Sequence, residues 1–262
     1  MPGIIPVKQP ELPLRSRHRV SVDRFNDILP TTLPHADVPD GVFVVVPAYN
    51  EAPAIGAVLQ ELRTVSRHVV VVDDGSTDST LETARAWATY ILRHPINCGQ
   101  GAALQTGIDY ALLRGAEYIV TFDADGQHRV EDIAALLSPI LSGECDITLG
   151  SRFLGTSVGI PPIRQKMLRL GVLFTRLVNG VNLTDAHNGL RAFSRRAAQR
   201  INLRLDRMAH ATELIDQVRQ SGLPFKEVPV QIRYTPYSLR KGQSTRGAIR
   251  IALHYLLGRV LQ

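Results

Sequence analysis

Val42-Phe-Val-Val-Val46 followed by Pro47-Ala-Tyr-Asn-Glu51 sets the reading of this chain: an apolar, largely β-branched run breaks abruptly into a polar cluster. Residues Ala52–Arg63 then carry helical periodicity. The same change occurs twice more. Val69–Val72 ends in Asp73-Asp-Gly-Ser-Thr-Asp78 before a helical Thr77–Thr89, and Tyr118–Phe122 ends in Asp123-Ala124-Asp125-Gly126-Gln127-His128 before a helical Val130–Leu141. Tyr90–Leu92 reads as a short strand before a helix over Gly101–Arg114, and Asp146–Leu149 as another strand. Short apolar strands alternating with helices predict an α/β fold, with a mostly parallel, Rossmann-like sheet covered by helices on both faces. Asp78 and Glu131 sit where helix N-termini favour acidic groups.

Outward from this core the pattern loosens. Residues 1–40 are rich in proline and basic side chains and read as an N-terminal arm, with one short helix predicted near Val22–Leu29. Residues 41–235 form the domain. In its second half, Ile163–Val178 and Ala209–Gln220 read as helices and Leu190–Phe193 as a strand. Phe225–Tyr234 is a strand whose Pro229 predicts an edge position or a bulge. Residues 236–262 form a basic segment closed by an amphipathic helix over Ala248–Leu261.

Composition narrows the classes. A chain of 262 residues with 44% hydrophobic content supports one sizeable core. A net charge of +6 permits anionic partners without choosing among nucleic acid, lipid and phosphorylated substrates. Cys98 and Cys145 have no CxxC spacing, which argues against a disulfide framework or a structural zinc site and fits a reducing cytosol. With no signal peptide and no apolar run of membrane-spanning length, a soluble or membrane-peripheral protein is expected.

In an open parallel sheet, ligands bind beyond the carboxyl ends of the strands. Three polar clusters on that edge therefore imply one shared site. Asp123 and Asp125, two apart, can reach one cation from the same strand end, with Gln127 adding a neutral oxygen; such hard donors suit Mg²⁺ or Mn²⁺. Alone, the pair reads equally well as a solvated acidic turn. Asp73-Asp74-Gly75-Ser76 is either an Asx-type turn or a carboxylate placed to accept from a base N–H, and Tyr49 either stacks on a base or packs. Gly99 and Gly101 read as a backbone turn: Leu104 stands where a dinucleotide fingerprint needs its third glycine, so a nicotinamide cofactor is rejected. His128 and His187 read as hydrogen-bonding or structural residues rather than metal ligands.

Taken together the motifs resemble the family 2 glycosyltransferases, and within them the polyprenyl-phosphate sugar synthases. The matching residues are Pro47–Glu51, Val72–Asp78, Asn97–Gly101, Asp123–His128, Gly150-Ser-Arg152, Asp185-Ala-His-Asn-Gly-Leu-Arg191 and Glu227-Val-Pro-Val230. The resemblance implies a GT-A fold and an inverting, metal-dependent transfer from a UDP- or GDP-sugar. Pro47, Tyr49, Glu51, Val72 and Asp74 would line the nucleoside pocket, with Asp123, Ala124, Asp125 and Gln127 at the diphosphate. Asp123, Asp125 and Gln127 would hold Mg²⁺ or Mn²⁺, and Arg152 would approach a phosphate or the donor sugar. The implied acceptor is a polyprenyl phosphate or a glycolipid at the inner face of the cell membrane, and no nucleic acid is involved.

A phosphate acceptor is already anionic and needs no strong base; a sugar hydroxyl, in polysaccharide or glycolipid assembly, would need one, and Glu213 and His210 are the candidates. The chain departs from the synthases after the Glu-Val-Pro strand. Gly242-Gln-Ser244 is followed by Thr245 rather than lysine, so Arg240, Lys241 or Arg246 would supply the charge from a mobile lid over Arg233–Arg246. The basic amphipathic Ile163–Val178 and Ala248–Leu261 suit either an anionic membrane surface or packing in a homodimer, and a membrane protein partner could replace the C-terminal spans that some synthases carry. Two other classes are weighed. A nucleotidyltransferase should carry a glycine- and lysine-rich loop where Pro47–Glu51 stands, and an intact Asp123/Asp125 pair argues against a non-catalytic sugar-nucleotide-binding protein.

Overall fold

The computed structural model describes residues 20–24, 38–160, 162–180, 182–204 and 209–241. The strands are β1 (Ser21–Arg24), β2 (Val42–Ala48), β3 (His68–Asp73), β4 (Tyr90–Arg93), β5 (Tyr118–Thr121), β6 (Ile147–Val158), β7 (Arg191–Ser194) and β8 (Phe225–Arg233). Between them lie α1 (Ala52–Val65), α2 (Thr80–Arg85), α3 (Gln100–Leu113), α4 (Asp132–Leu141), α5 (Pro162–Asn179), α6 (Arg195–Ala198) and α7 (Ala209–Ser221), and α8 (Pro236–Lys241) follows β8. The described strands form one sheet in the order β1-β4-β3-β2-β5-β7-β6-β8. β2 to β5 run parallel, β7 is antiparallel to both neighbours, and β6 and β8 are parallel, so only β1 and β7 are reversed.

The apolar runs are continuous because both faces of the sheet are covered. All seven residues of β2 are buried, and alternate ones feed opposite cores. Val44 and Val46 pack with Ile55, Leu59 and Leu62 of α1 and Leu136 and Leu137 of α4. Phe43 and Val45 pack with Ala103, Leu104 and Ile108 of α3 and Leu214 and Val218 of α7.

Where the structure departs from the sequence reading, tertiary contacts explain it. Of the helix expected near Val22–Leu29, the described residues belong to strand β1 over Ser21–Arg24, paired antiparallel with β4. Without β1, β4 would end the sheet with a row of open backbone groups, and pairing satisfies them. Residues 25–37 lie outside the described residues. The strand expected over Asp146–Leu149 runs on to Val158, so Gly150-Ser-Arg152 lies within β6. Helix α2 is shorter than expected, because Thr77 and Asp78 are engaged in loop contacts. Pro229 lies on the outermost strand, beside an irregularity between Ser151 and Thr156 of β6, as its lack of an N–H requires. The expected helix Ala248–Leu261 lies outside the described residues.

Candidate functional site

The reversed strand β7 brings two halves of the chain to one edge. Thr121 of β5 pairs with Arg191 of β7, which pairs with Leu149 of β6. Just beyond that row stand Asp123, Gly189 and Arg152, residues that the sequence separates widely.

The loops after β2 and β3 interlock. Asn50, at φ +53°, donates its backbone N–H to Ser76 Oγ at 3.0 Å and accepts from Thr77 N at 2.9 Å. Glu51 N donates to Thr80 Oγ1 at 2.7 Å and Ala52 N to Asp78 Oδ2 at 3.2 Å. Tyr49 is 40% exposed at the strand end. Pro47 lies beside Val72 in the parallel ladder, and both are buried.

The two aspartates at the end of β3 have different partners. Asp73 makes the turn, accepting from Ser76 N at 3.2 Å. Asp74 reaches across: Oδ1 accepts from Cys98 N at 2.9 Å and lies 2.7 Å from His94 Nδ1, while Oδ2 accepts from Gly99 N at 2.8 Å. Gly99 caps α3 at φ +96°, a conformation that favours glycine, and is the backbone turn expected there, while Gly101 lies in the first turn of the helix.

Asp123 is held from several sides. Gln100 Nε2 donates to Oδ1 at 3.1 Å, and His128 Nε2 lies 2.9 Å from Oδ2. His128 is buried, with the Phe122 ring edge-on at 5.4 Å. The backbone of Gly189 lies flat against the carboxylate, and a Cβ there would fall 2.2 Å from Oδ2. The Gly189 carbonyl is itself fixed by Thr121 Oγ1 at 2.6 Å. Burial works against ionisation of Asp123, but the His128 hydrogen bond and the nearby charges of His128, Arg191 and His210 outweigh it and hold the carboxyl below its ordinary range.

Asp125 goes the other way: burial, then the charge of Asp123, push it up to about 6. Gln127 serves it through backbone N (3.0 Å) and Nε2 (2.7 Å). Two partly buried carboxylates in mutual repulsion beside a carboxamide form a hard-donor set that fits a divalent cation. A cavity of about 280 Å³ opens beside Asp125, lined by Pro53, Ala57, Phe122, Arg233 and Tyr237 among others.

Arg152 is partly buried. It donates from Nε (2.6 Å) and from its backbone N (3.1 Å) to Asp185 Oδ2, and from Nη1 to the Tyr234 hydroxyl at 2.9 Å. Asp185 is in turn placed by Glu227, which accepts from Thr184 N (2.9 Å), Thr184 Oγ1 (2.8 Å) and Asp185 N (3.0 Å). Arg191 is buried, which lowers its guanidinium pKa to about 10 despite the charges of Asp123 and Asp185. Tyr237 of α8 donates to Glu51 Oε2 at 2.8 Å. His128 has the hydrogen-bonding role its sequence context suggested, whereas the sequence reading assigned none to Asp185, Gly189, Arg191, Glu227 or Tyr237. All but Tyr237 lie inside motifs it quoted, which was the available signal.

Glu213 lies elsewhere in its bonding: its oxygens accept from Arg204 N at 2.9 and 3.0 Å, tying α7 to the preceding loop. His210 is buried, and its charge acts on Asp123. Arg240 and Lys241 belong to α8, and residues 242–246 of the expected lid lie outside the described residues. His187 is partly buried, with its ring against Gly171.

Comparisons with known proteins converge. UDP-N-acetylglucosamine–dolichyl-phosphate N-acetylglucosaminyltransferase of Methanococcus voltae is 31% identical over 245 residues, covering 84% of this chain and 98% of that protein. Polyprenol monophosphomannose synthase of Mycolicibacterium smegmatis is 29% identical over 221 residues, covering 80% and 83%. The structure of glucosyl-3-phosphoglycerate synthase from Mycobacterium tuberculosis with Mn²⁺ and UDP-glucose superposes with a TM-score of 0.64 at 20% identity, covering 83% of this chain and 78% of that one. At that identity the likeness speaks to the fold, which is GT-A. The family model described as glycosyl transferase family 2 matches residues 43–201, more than half of the sequence, and the chain belongs to that family.

Proposed function

We propose that this glycosyltransferase moves a sugar, with inversion, from a UDP- or GDP-sugar to a polyprenyl phosphate, using Mg²⁺ or Mn²⁺. The observation that carries the reading is the Thr121–Arg191–Leu149 row, which gathers the Asp123/Asp125 pair and the partly buried Arg152 at one sheet edge. The named activities of the Methanococcus and Mycolicibacterium relatives supply the acceptor class.

Asp123, Asp125 and Gln127 would hold the cation. Bound there, a divalent ion supplies the charge that neutralises a departing nucleoside diphosphate. Pro47, Tyr49, Glu51, Val72 and Asp74 would line the nucleoside pocket. A carboxylate offers about four lone-pair sites; the two N–H groups and His94 engage three of those on Asp74, which leaves room for a base N–H. Arg152, aimed by Asp185 and Tyr234, places a fixed positive charge for phosphate oxygens. A phosphate acceptor needs no proton removed, which agrees with a Glu213 engaged in holding a loop.

Acceptor delivery follows from α5. Leu170 and Leu173 of that helix are 64% and 52% exposed, beside exposed Lys166 and Arg169. Such a face suits the headgroup plane of an anionic leaflet, here the cytoplasmic one. Among the described residues no helix is long and apolar enough to cross a membrane.

The test is lipid-dependent incorporation by the purified chain with Mn²⁺ and a panel of UDP- and GDP-sugars. Labelled sugar should enter the lipid phase only with polyprenyl phosphate. Transfer to a saccharide lipid and none to polyprenyl phosphate would overturn the acceptor and bring back His210 or Glu213 as a base.

A further inference from the structure

The proposed reaction gives no task to His94 or Cys98, yet both crowd the carboxylate of Asp74. One ligand atom from each of Asp74, His94 and Cys98 lies within 4.8 Å of the others. We propose that these three residues form a second metal site, chemically distinct from the Asp123/Asp125 pair, which takes a soft or borderline divalent ion of the Zn²⁺ class and thereby blocks donor binding.

The donor set decides the ion. An imidazole and a thiol beside one carboxylate favour Zn²⁺ or Cd²⁺, whereas the oxygens of Asp123, Asp125 and Gln127 favour Mg²⁺ or Mn²⁺. Zinc bonds of roughly 2.0 Å to nitrogen and roughly 2.3 Å to sulfur keep tetrahedral ligand atoms roughly 3.3 to 3.8 Å apart. The observed spread of up to 4.8 Å therefore needs the thiol to close by about an ångström. His94 Nδ1 and Asp74 Oδ1, now 2.7 Å apart, would open slightly as the ion replaces the proton between them.

The surroundings are built for this exchange. His94 Nε2 lies 3.0 Å from Thr106 Oγ1, a hydroxyl that can donate or accept. A neutral His94 ring therefore frees Nδ1 by changing tautomer, with Nε2–H then donating to Thr106, and only the thiol releases a proton. Asp74 and His94 are buried, while Cys98 is partly exposed, which gives the ion a way in. The Cys98 and Gly99 backbone N–H groups both donate to Asp74, so the loop that carries the thiol is pinned to the carboxylate. Sequence spacing hides the cluster, since 20 residues separate Asp74 from His94. The blocking effect rests on the assignment of Asp74 to the nucleoside pocket; the metal site does not.

The experiment is a Cd²⁺ titration of the metal-stripped full chain, read by the ultraviolet thiolate-to-cadmium charge-transfer band. Wild type and Cys145→Ser should show the band at a single equivalent, and so should Asp125→Asn. Cys98→Ser should lose it. His94→Gln, checked for folding by circular dichroism, should bind more than about tenfold more weakly. A band that survives Cys98→Ser, or no band in the wild type, overturns the site. Zn²⁺ should also displace UDP from the wild type but not from Cys98→Ser. If the band behaves as expected but UDP and Zn²⁺ bind independently, the metal site stands and the place of Asp74 in the nucleoside pocket falls.

Discussion

The two flanks of the site are held together by different means. On the flank proposed to take the donor, residues 47–128, the strand-end loops bond to one another through backbone N–H groups, hydroxyls and carboxylates, as between Asn50 and Ser76 or Asp74 and Gly99. On the other flank, residues 150–237, the fixing contacts are charged and partly buried: Arg152 on Asp185, and Asp185 and Thr184 on Glu227. The first kind of bonding makes a rigid mould for a ligand of fixed shape. The second stakes everything on a few pairs, since a buried ion pair that loses one partner leaves an uncompensated charge.

The largest effect is expected where the flanks meet. Asp125→Asn should lower turnover by about 100- to 1000-fold and weaken Mn²⁺ binding, read by Mn²⁺ electron paramagnetic resonance. It should also change stability with a definite sign. The carboxyl of Asp125 is raised from 3.8 to about 6 in the folded protein, so its contribution is favourable below the ordinary value and is lost as pH rises through 6. In metal-free protein the Asn variant should therefore be more stable than wild type by roughly 1–2 kcal/mol at pH 8, an advantage that fades as pH falls from 6 towards 4. Thermal melts across that range, with and without Mn²⁺, check it.

Gly189→Ala comes next. Its Cβ would fall 2.2 Å from Asp123 Oδ2, so the carboxylate must move while the fold survives. A misplacement of about an ångström costs about 100-fold in turnover, and Mn²⁺ affinity should fall with it. Wild-type kinetics in this variant would mean that the two flanks do not share Asp123.

Glu227→Gln probes the charged flank alone. It weakens the acceptor for Thr184 and Asp185 N–H groups, at a cost of about 1–3 kcal/mol in denaturant unfolding. UDP binding should stay unchanged, and a large loss there would break the division between the flanks. The smallest effect is expected for Tyr237→Phe, which removes the bond to Glu51. One hydrogen bond of about 0.5–1.5 kcal/mol should raise the donor KM by less than about tenfold and leave the melting temperature nearly unchanged.

The same contrast explains what could be read from the sequence. Each donor-flank loop follows directly on an apolar strand, so the position of Asp123 or Asp74 at the sheet edge follows from local pattern alone. The partners of Arg152 do not: Asp185 is 33 residues away and Tyr234 82. Nothing local says that β7 is reversed, yet that reversal brings Gly189 and Arg191 to the edge. Pro229 could be read because a missing N–H has one consequence wherever it occurs, and it lies on the outermost strand. Strand β1 could not, because four residues carry too little periodicity and the open edge of β4 decided their conformation.

The reversal of β7 also bears on how the chain is made. As it leaves the ribosome, β2 to β5 can pair and pack with the helices between them, but the far edge of β5 stays open until β7 arrives. Thr121 must wait for Gly189, 68 residues later, before the backbone that seats Asp123 exists. The nascent chain therefore carries an unpaired strand edge through the synthesis of β6 and α5, the interval in which it is most exposed to pairing with a neighbour. The centre of the site is among the last parts of the molecule to be completed, and a truncated chain that folds residues 47–128 would keep the Gln100 and His128 contacts to Asp123 but lack the Gly189 backbone that seats its carboxylate.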